Sequence, residues 1–484
     1  MSVDMNLRKA TIILLPIVLL LIYIVIDATQ IIAGRNIHLC LLLMVWMVSW
    51  WILEVLPLGV TALIPLFYLP LMQIMPIKQV SPFYANPVIY LFLGGFIIAR
   101  ALEKTKLDER IALKILSVTG RSDLGIIIGF IISTAFLSMW ISNTATTVMM
   151  VPIALSVIHF LKQNLSLDAR QTLDSMTVVL FLSIAYSANI GGIMTPIGTP
   201  PNVVFMGYLD EFYARKIDFW KWTVITTPVA VGLLVIMLYV LKRMYRFAIP
   251  IPPNFKDFIH ERIGGLGRID SPQKITIAVF LLAASLWISK GLLNYLAATE
   301  LLNDTSIAIL AGILLFLVPT NFQDLMPVLD KQDIAQLPWD IVLLFGGGMA
   351  LAGALKEVGL IQMTTEYFAS IDFVNSYWLI VALAAIALFL TEVTSNVALC
   401  VVALPMIMKV GEAQGLDPVI AAMPAALCAS FAFSMPISTP PNAIVFGTNT
   451  ITVKQMLKAG ILLNFIALAI TMTLGFSLMK IVIE

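Results

Sequence analysis

Apolar stretches of about 20 residues follow one another along almost the whole chain, which restricts the fold to one class, since about 20 largely apolar residues let a helix cross a bilayer. Charged residues make up only 12% of the 484 residues, against about 25% in soluble domains. Too little polar surface remains to cover a globule in water. We predict an all-α membrane protein with about eleven transmembrane helices. Their expected ranges are 10–33, 37–54, 56–75, 86–106, 174–206, 219–243, 273–295, 304–319, 339–358, 418–447 and 456–482.

Two further apolar stretches, 123–160 and 376–409, are longer than one span and carry a polar motif at their middle. The first contains Ser142-Asn143-Thr144 and the second Ser395-Asn396-Val397. An asparagine amide without hydrogen-bond partners is costly to bury in hydrocarbon. Each stretch forms either two short helices meeting at a tip or one very long tilted helix. The central polar residues favour a re-entrant hairpin, because irregular backbone at membrane depth is tolerated only inside protein or beside water.

The chain also repeats itself internally. "LFLGGFIIARALEK" at Leu91 aligns with "LFGGGMALAGALKE" at Leu344, and the same offset superimposes the two Ser-Asn motifs. "IGTPPNVVFMG" from Ile197 then matches "ISTPPNAIVFG" from Ile437 at a slightly shorter offset. An odd number of expected spans separates the copies, so the two halves should lie in the membrane with opposite orientation. Inverted repeats with interrupted helices at matching places indicate the binding site of a secondary transporter.

Lysine and arginine predict the orientation of the chain. With the N-terminus inside, most of the 29 basic residues fall in cytoplasmic segments, as the positive-inside tendency requires. We therefore expect a cytoplasmic N-terminus and an external C-terminus. The apolar run from Thr11 to Ile26 lacks a signal-peptide cleavage pattern and is interpreted as a retained span. The amphipathic stretch 103–116 is expected to lie along the membrane interface, with a solvated helix end as the alternative.

The repeated motifs offer oxygen ligands and helix ends. Hydroxyls, amide oxygens and loose carbonyls can surround a hard cation, and Ser138 and Thr391 lie four residues before the two motif serines. The Thr-Pro-Pro-Asn segments at Thr199 and Thr439 must interrupt their helices, because proline lacks the N–H of a helical hydrogen bond. The exposed N-terminal helix ends attract anions. The alternative is a set of ordinary kinks without a binding role.

Other notable residues have simpler interpretations. The glycines of "LFLGGF" and "LFGGGM" indicate close helix packing. The intramembrane carboxylate Glu392 is a functional candidate by default, with a structural role equally open, and Glu54 lies at an expected helix end. The three cysteines and three histidines show no metal-ligand spacing, and no nucleophile–base pair or nucleotide-binding motif points to an enzyme. Neither tip contains a lysine or arginine, so a bound anion would need coupled cations, for which Na⁺ suits an oxygen cage.

The chain resembles the divalent anion/sodium symporter family in four motifs. In chain order these are "SNTATTVMMVPIA", "TPIGTPPNVV", "EVTSNVA" and "STPPNAIVFG". The resemblance implies a homodimer in the lipid bilayer and an elevator-type transporter. It implies scaffold parts at 1–122, with the N-terminal spans, and at 244–375, with a cytoplasmic linker. The transport parts, each with a re-entrant hairpin and a broken helix, would be 123–243 and 376–484.

The resemblance also assigns residues. One sodium site maps to Ser138, Ser142, Asn143 and Gly191, and a second maps to Thr391, Thr394, Asn396 and Ser438. The substrate dianion would touch Asn143, Thr144, Asn396, Val397 and Thr439, together with Pro200 and Pro440.

One departure from the family pattern concerns the substrate. The second tip has Val397 where many dicarboxylate members have threonine, and valine cannot donate a hydrogen bond. We expect sodium-coupled import of C4 dicarboxylates (succinate, malate and fumarate) across the plasma membrane, the inner membrane in a bacterium. The alternatives are a sodium-coupled citrate or sulfate transporter and a sodium-independent carboxylate exchanger. The retained Ser395 and Asn396 favour sodium coupling.

Overall fold

The computed structural model describes residues 18, 34–299, 301–321, 323, 325–369 and 376–483, and these are mostly helical. Apart from Val18, the expected span at 10–33 lies outside the described residues. The helices of the first half are α1 (Arg35–Ile52), α2 (Leu58–Thr61), α3 (Ile64–Leu71), α4 (Ile77–Val80), α5 (Pro87–Lys104), α6 (Leu107–Thr119), α7 (Asp123–Ser138), α8 (Asn143–Asn164), α9 (Leu167–Gly192), α10 (Pro200–Tyr213) and α11 (Phe219–Met244), with a 3₁₀ turn at Ser81–Ala85.

The second half continues the helical pattern and adds one small sheet. Its helices are α12 (Phe255–Gly265), α13 (Ser271–Ala297), α14 (Asp304–Leu317), α15 (Lys331–Ala335), α16 (Trp339–Glu357), α17 (Leu360–Ala369), α18 (Ser376–Leu390), α19 (Asn396–Ala413), α20 (Pro418–Cys428), α21 (Pro440–Gly447), α22 (Val453–Ile470) and α23 (Phe476–Ile483), with a π turn at Thr471–Gly475. Strands β1 (Pro319–Asn321) and β2 (Met326–Pro327) pair antiparallel. The secondary structure of the described residues is otherwise helical, so the predicted helical class holds, and this short pair of strands is an addition to it, formed where a tight chain reversal brings two extended segments together.

Among the described residues, nine helices are long and apolar enough to cross a membrane. The predicted span 56–75 is wrong as a single helix. It forms α2 and α3, which turn at Ala62 and Leu63. Pro57 precedes α2, Pro65 lies in the first turn of α3 and Pro70 lies inside it. Prolines cannot donate the helical hydrogen bond, so the stretch does not continue as one helix.

Both long polar-centred stretches consist of two helices that meet at a tip, as the first alternative predicted. α7 and α8 are separated by residues 139–142, the first tip, and α18 and α19 by residues 391–395, the second tip. The partner helices of each pair pack against one another. The Ser142 hydroxyl caps α8 by accepting a hydrogen bond from the Ala145 N–H at 3.2 Å. Such a cap satisfies one of the unpaired N–H groups at a helix start.

The two Thr-Pro-Pro-Asn segments interrupt their helices as predicted, at residues 193–199 (the first break) and 429–439 (the second break). The Asn202 amide donates to the carbonyls of Gly192 at 3.2 Å and Thr195 at 2.8 Å. In the second half the Asn442 amide makes the corresponding bonds, across 2.9 and 3.0 Å. Each asparagine therefore satisfies carbonyls that its own break leaves without a helical partner.

The helix that follows the break of one half packs against the hairpin of the other half. The helix after the second break, α21, packs against α8 of the first hairpin, and the helix after the first break, α10, packs against α19 of the second. The Tyr208 hydroxyl joins the latter pair by donating to the Val401 carbonyl at 2.8 Å. This arrangement brings all four motifs into one central region.

The glycine-rich motifs pack helices closely, as predicted. A Cβ at Gly94 would lie 2.5 Å from the Ala308 carbonyl carbon in α14, and one at Gly347 would lie 2.3 Å from the Ala62 carbonyl oxygen. No side chain larger than hydrogen fits at either position. Gly94 and Gly347 thus let the surrounding helices approach closely, and Gly95 packs against Ile197 of the first break.

Candidate functional site

The first tip brings three oxygen atoms together around one hydrogen. The Ser138 hydroxyl, at the end of α7, lies 2.7 Å from the side-chain oxygen of Asn143 and 2.7 Å from the Ala188 carbonyl of α9. Ser138 is fully buried. A hydroxyl has a single hydrogen to donate, so it cannot satisfy both acceptors. The tip therefore has one more acceptor oxygen than the Ser138 hydroxyl can serve.

The second tip repeats this arrangement with different residues. The Thr391 hydroxyl, just past the end of α18, lies 2.5 Å from the side-chain oxygen of Asn396 and 2.9 Å from the Ala429 carbonyl. Thr391 is also fully buried. The same excess of acceptor oxygens results, in a part of the chain whose sequence shares the Ser-Asn pair but not this hydroxyl residue.

The other residues predicted to hold sodium contribute less directly. Ser142 caps its helix, and the Gly191 carbonyl accepts a hydrogen bond from the Met194 N–H at 3.0 Å. A side chain at Gly191 would collide with the backbone of Ala135 in α7. The Thr394 hydroxyl donates back to the Leu390 carbonyl at 2.8 Å, which orients its hydrogen away from Asn396.

Ser438, the last residue predicted for the second cation, is bound to a carboxylate. Its hydroxyl lies 2.6 Å from one Glu392 oxygen and 2.9 Å from the Met435 carbonyl. The structure therefore places Ser438 in the second break, where it contacts Glu392.

The residues predicted to touch the substrate lie at the starts of four helices. Thr144 and Val397 are in the first turns of α8 and α19, and Pro200 and Pro440 begin α10 and α21. Thr144 and Pro440 are exposed, Pro200 and Val397 are half-buried, and Thr439 is buried. Helix N-termini carry partial positive charge, so these four ends favour an anion without requiring a lysine or arginine.

Asn189 belongs to this region and was missed by the sequence analysis. It lies in α9 between the first hairpin and the second break, with its amide oxygen 3.5 Å from the Asn143 amide nitrogen and its own amide nitrogen 3.2 Å from the Thr439 hydroxyl. The available signal was a polar residue inside a predicted span, which marks a functional position in membrane proteins. Asn189 belongs to no repeated motif, so the repeat did not point to it.

Glu392 has a structural position. Its carboxylate accepts hydrogen bonds from the N–H groups of Phe433, Ser434 and Met435 at 2.9–3.1 Å, from the Ser438 hydroxyl and from the Asn464 amide at 2.6 Å. These donors surround a buried side chain and fix the backbone of the second break. Of the two roles that the sequence left open, the contacts favour the structural one.

Several other expectations can be compared with the structure. Glu54 is exposed just past the end of α1, with φ 47, which agrees with the predicted helix end. Cys40, Cys400 and Cys428 are free and buried. Within the described ranges, no cluster of three or more His, Cys, Asp or Glu side chains could hold a metal ion. The residues predicted to hold the cations offer hydroxyl, amide and carbonyl oxygens, which are all neutral.

Comparison with known proteins identifies the family. The family model of the sodium:sulfate symporter transmembrane region matches residues 7–484. The sodium-dependent dicarboxylate transporter SdcS of Staphylococcus saprophyticus is 36% identical over 429 residues, covering 88% of this chain and 83% of the relative. SdcS of Staphylococcus aureus is 36% identical over 442 residues, covering 90% and 85%.

A solved structure supports the fold alone. The YdaH transporter of Alcanivorax borkumensis has a TM-score of 0.56 at 12% sequence identity, covering 83% of this chain and 88% of the other. The family match extends over almost every residue, including both tips and both breaks, and it confirms the expectation drawn from the motifs. This chain belongs to the sodium:sulfate symporter family, the divalent anion/sodium symporters, and is a multi-pass membrane transporter and not an enzyme.

Proposed function

We propose that this protein is a sodium-coupled secondary active symporter that imports C4 dicarboxylates, namely succinate, malate and fumarate. The observation that carries the proposal is that one hydroxyl at each tip lies between two acceptor oxygens and can donate to only one of them. A hard cation among these oxygens would satisfy all of them. The name of the SdcS relatives, which are sodium-dependent dicarboxylate transporters, supports both the ion and the substrate class.

In this proposal one Na⁺ binds at each tip. The first would be held by Ser138, Ser142, Asn143 and Gly191, and the second by Thr391, Thr394, Asn396 and Ser438. The shared oxygen of each asparagine would bind the cation, and the amide nitrogen, which has two hydrogens, would donate to a carboxylate. At Asn143 the other hydrogen faces the Asn189 oxygen. Each asparagine would therefore serve cation and anion together.

The substrate would lie between the tips, against Asn143, Thr144, Asn396, Val397 and Thr439, with Pro200 and Pro440 at the helix ends. The tips contain no lysine or arginine, so sodium and helix dipoles must balance the charge of the anion. This favours a dianion over a trianion. Two separated sets of donors suit a molecule with a carboxylate at each end.

The proposed mechanism is an elevator in a homodimer, with two inverted repeats. The transport parts would be 123–243 and 376–484, and the scaffold parts 1–122 and 244–375. Two contacts support this division. Arg215 and Asp417 form an ion pair at 2.5 Å between the two transport parts, and α5 packs closely along α14 within the scaffold parts. We place the protein in the plasma membrane (the bacterial inner membrane), surrounded by lipid, with the N-terminus cytoplasmic and the C-terminus outside.

Uptake of labelled succinate into proteoliposomes tests the coupling. Uptake should follow an inward sodium gradient and stop when choline replaces sodium. Asn143→Ala and Asn396→Ala should each abolish it, whereas Asn164→Ala, at the far end of α8, should not. Uptake that persists without sodium and requires a dicarboxylate inside the vesicles would identify an exchanger instead.

Competition against labelled succinate tests the substrate. Malate and fumarate should compete, and citrate should compete less well. Stronger competition by citrate, greatest at low pH where its dianion is populated, would make citrate the substrate. Competition by sulfate alone would contradict the two-ended site. Val397→Thr, which restores a hydroxyl at the second tip, should strengthen succinate binding if that position faces the substrate.

A further inference from the structure

Asn189 joins the first tip to the second break through one side chain. It lies in α9 and is 1% exposed. Its amide oxygen faces the amide nitrogen of Asn143 at 3.5 Å. Its amide nitrogen donates to the Thr439 hydroxyl at 3.2 Å and to the Ala432 carbonyl at 3.4 Å. Both amide hydrogens of Asn189 are therefore directed to the second break, and its oxygen is directed to the first tip.

These contacts determine what the Thr439 hydroxyl can do. Its oxygen accepts from Asn189 and from the N–H of Asn442 at 3.4 Å. A hydroxyl oxygen accepts two hydrogen bonds and donates one. With both acceptor positions used, the remaining hydrogen of Thr439 is free to donate to an anion.

The other half of the molecule does not repeat the bridge. Asn189 directly follows Ala188, whose carbonyl accepts from the first-tip hydroxyl, and Ser430 directly follows Ala429, whose carbonyl accepts from the second-tip hydroxyl. Ser430 therefore holds the place of Asn189 in the second half. It is buried, and its hydroxyl has no hydrogen-bond partner in the part of the chain that the structure describes. The connection between a tip and the opposite break is thus one-sided.

We propose that Asn189 is a positioning residue that couples the cation at the first tip to the anion donor Thr439. This rests on the proposed function. A cation on the Asn143 oxygen fixes that amide plane and directs the amide nitrogen to Asn189. Asn189 is then held with its N–H toward Thr439, whose hydrogen points to the substrate. Without the cation the Asn143 amide oxygen keeps only its hydrogen bond from the Ser138 hydroxyl, so the amide plane, and with it the orientation of Thr439, is less firmly fixed.

The test measures succinate affinity of the purified protein at low and at high sodium. In the wild type, high sodium should tighten succinate binding by about tenfold or more, within the usual range for coupled sites. Asn189→Ala should reduce this sodium effect to less than about threefold. Asn189→Asp keeps the side-chain shape but cannot donate to Thr439, so it should lose the effect as well. Ser430→Ala is the matched control and should keep the wild-type response.

The outcomes separate the inference from the proposed function. If sodium does not change succinate affinity in the wild type, the proposed coupling itself fails. If the wild type responds and both Asn189 variants respond equally, Asn189 has no coupling role. Asn189 variants that lose thermal stability but keep the full sodium effect on succinate affinity would likewise overturn the coupling role of Asn189. Loss of the sodium effect with a retained thermal transition supports it.

Discussion

The Ser138 hydroxyl lies 2.7 Å from the amide oxygen of Asn143, five residues further along the chain and across the first tip. Thr391 and Asn396 are related in the same way across the second tip, at 2.5 Å. In both pairs a backbone carbonyl competes for the same hydroxyl hydrogen, that of Ala188 in α9 at the first tip and that of Ala429 at the start of the second break at the second tip. The two tips therefore have the same arrangement of oxygen atoms, although one is built on a serine hydroxyl and the other on a threonine hydroxyl.

Removing one of these hydroxyls should weaken sodium binding specifically. Ser138→Ala deletes one oxygen from the first tip, so we expect the sodium concentration for half-maximal uptake to rise about tenfold, equivalent to about 1.4 kcal/mol. The maximal rate at saturating sodium should change less. Sodium titrations of succinate uptake measure both quantities.

Ser133→Ala provides the control for this substitution. Ser133 lies on the same helix, is equally buried and contacts Ala112 at 3.5 Å, away from the tip. It should leave the sodium dependence unchanged. An unchanged sodium titration in Ser138→Ala would remove Ser138 from the cation site.

The contacts of Glu392 lead to a second prediction, which concerns the stability of the folded protein. Glu392→Gln replaces an acceptor oxygen by an NH₂ group, which then faces the N–H groups of the second break. Each hydrogen bond to a charged group contributes about 1.5–3 kcal/mol, and at least one is lost while donors are left opposed. We expect a clear fall in the thermal unfolding temperature in detergent and loss of uptake. Glu357→Gln, at an exposed carboxylate, should affect neither, and a stable, inactive Glu392→Gln would instead indicate a direct role in transport.

Much of this architecture follows from local sequence. The hairpins were predictable because Ser-Asn motifs interrupt apolar stretches that are too long for one span, and the breaks were predictable because Pro200 and Pro440 each precede a second proline. Both signals act within a few residues of the structure they determine. The division of the stretch 56–75 into two helices also has a local cause, namely its three prolines. A hydropathy pattern does not reveal it, because the stretch is largely apolar throughout.

The connections between distant residues could not be read in this way. Asn189 and Thr439 are 250 residues apart, and Glu392 and Asn464 are 72 apart. Each pair depends on how helices from different parts of the chain pack together. The internal repeat showed which motifs of the two halves are equivalent, but it gave no information on residues that occur in one half only.

Trp140 in the first tip is expected to anchor that tip to α13. Its ring contacts Phe280 at 4.7 Å between centroids and stacks at 6.0 and 6.4 Å on Phe219 and Trp287. Replacing a packed tryptophan by alanine costs about 3–5 kcal/mol. Trp140→Ala should therefore lower the thermal unfolding temperature and the rate of uptake, while Trp140→Phe should retain most of both. Trp220→Ala, at an exposed ring, is the control; equal effects of the two alanine variants would contradict an anchoring role.

The buried carboxyl of Asp108 should make the stability of the folded protein depend on pH. Asp108 lies in α6 and is buried, and burial raises the pKa of its carboxyl from 3.8 to about 7, with the nearby carboxylates of Glu103 and Glu109 adding to the rise. Because the folded state favours the protonated form, its contribution to stability is complete below about pH 3.8 and is lost as the pH rises to about 7. Asp108→Asn removes this titration, so the variant should gain stability over the wild type between about pH 5 and 7 and show a constant difference above that. Thermal unfolding of both proteins across this range measures the difference, with Asp257→Asn at an exposed site as the control. A difference between Asp108→Asn and the wild type that does not change with pH would show that Asp108 is already ionised throughout this range.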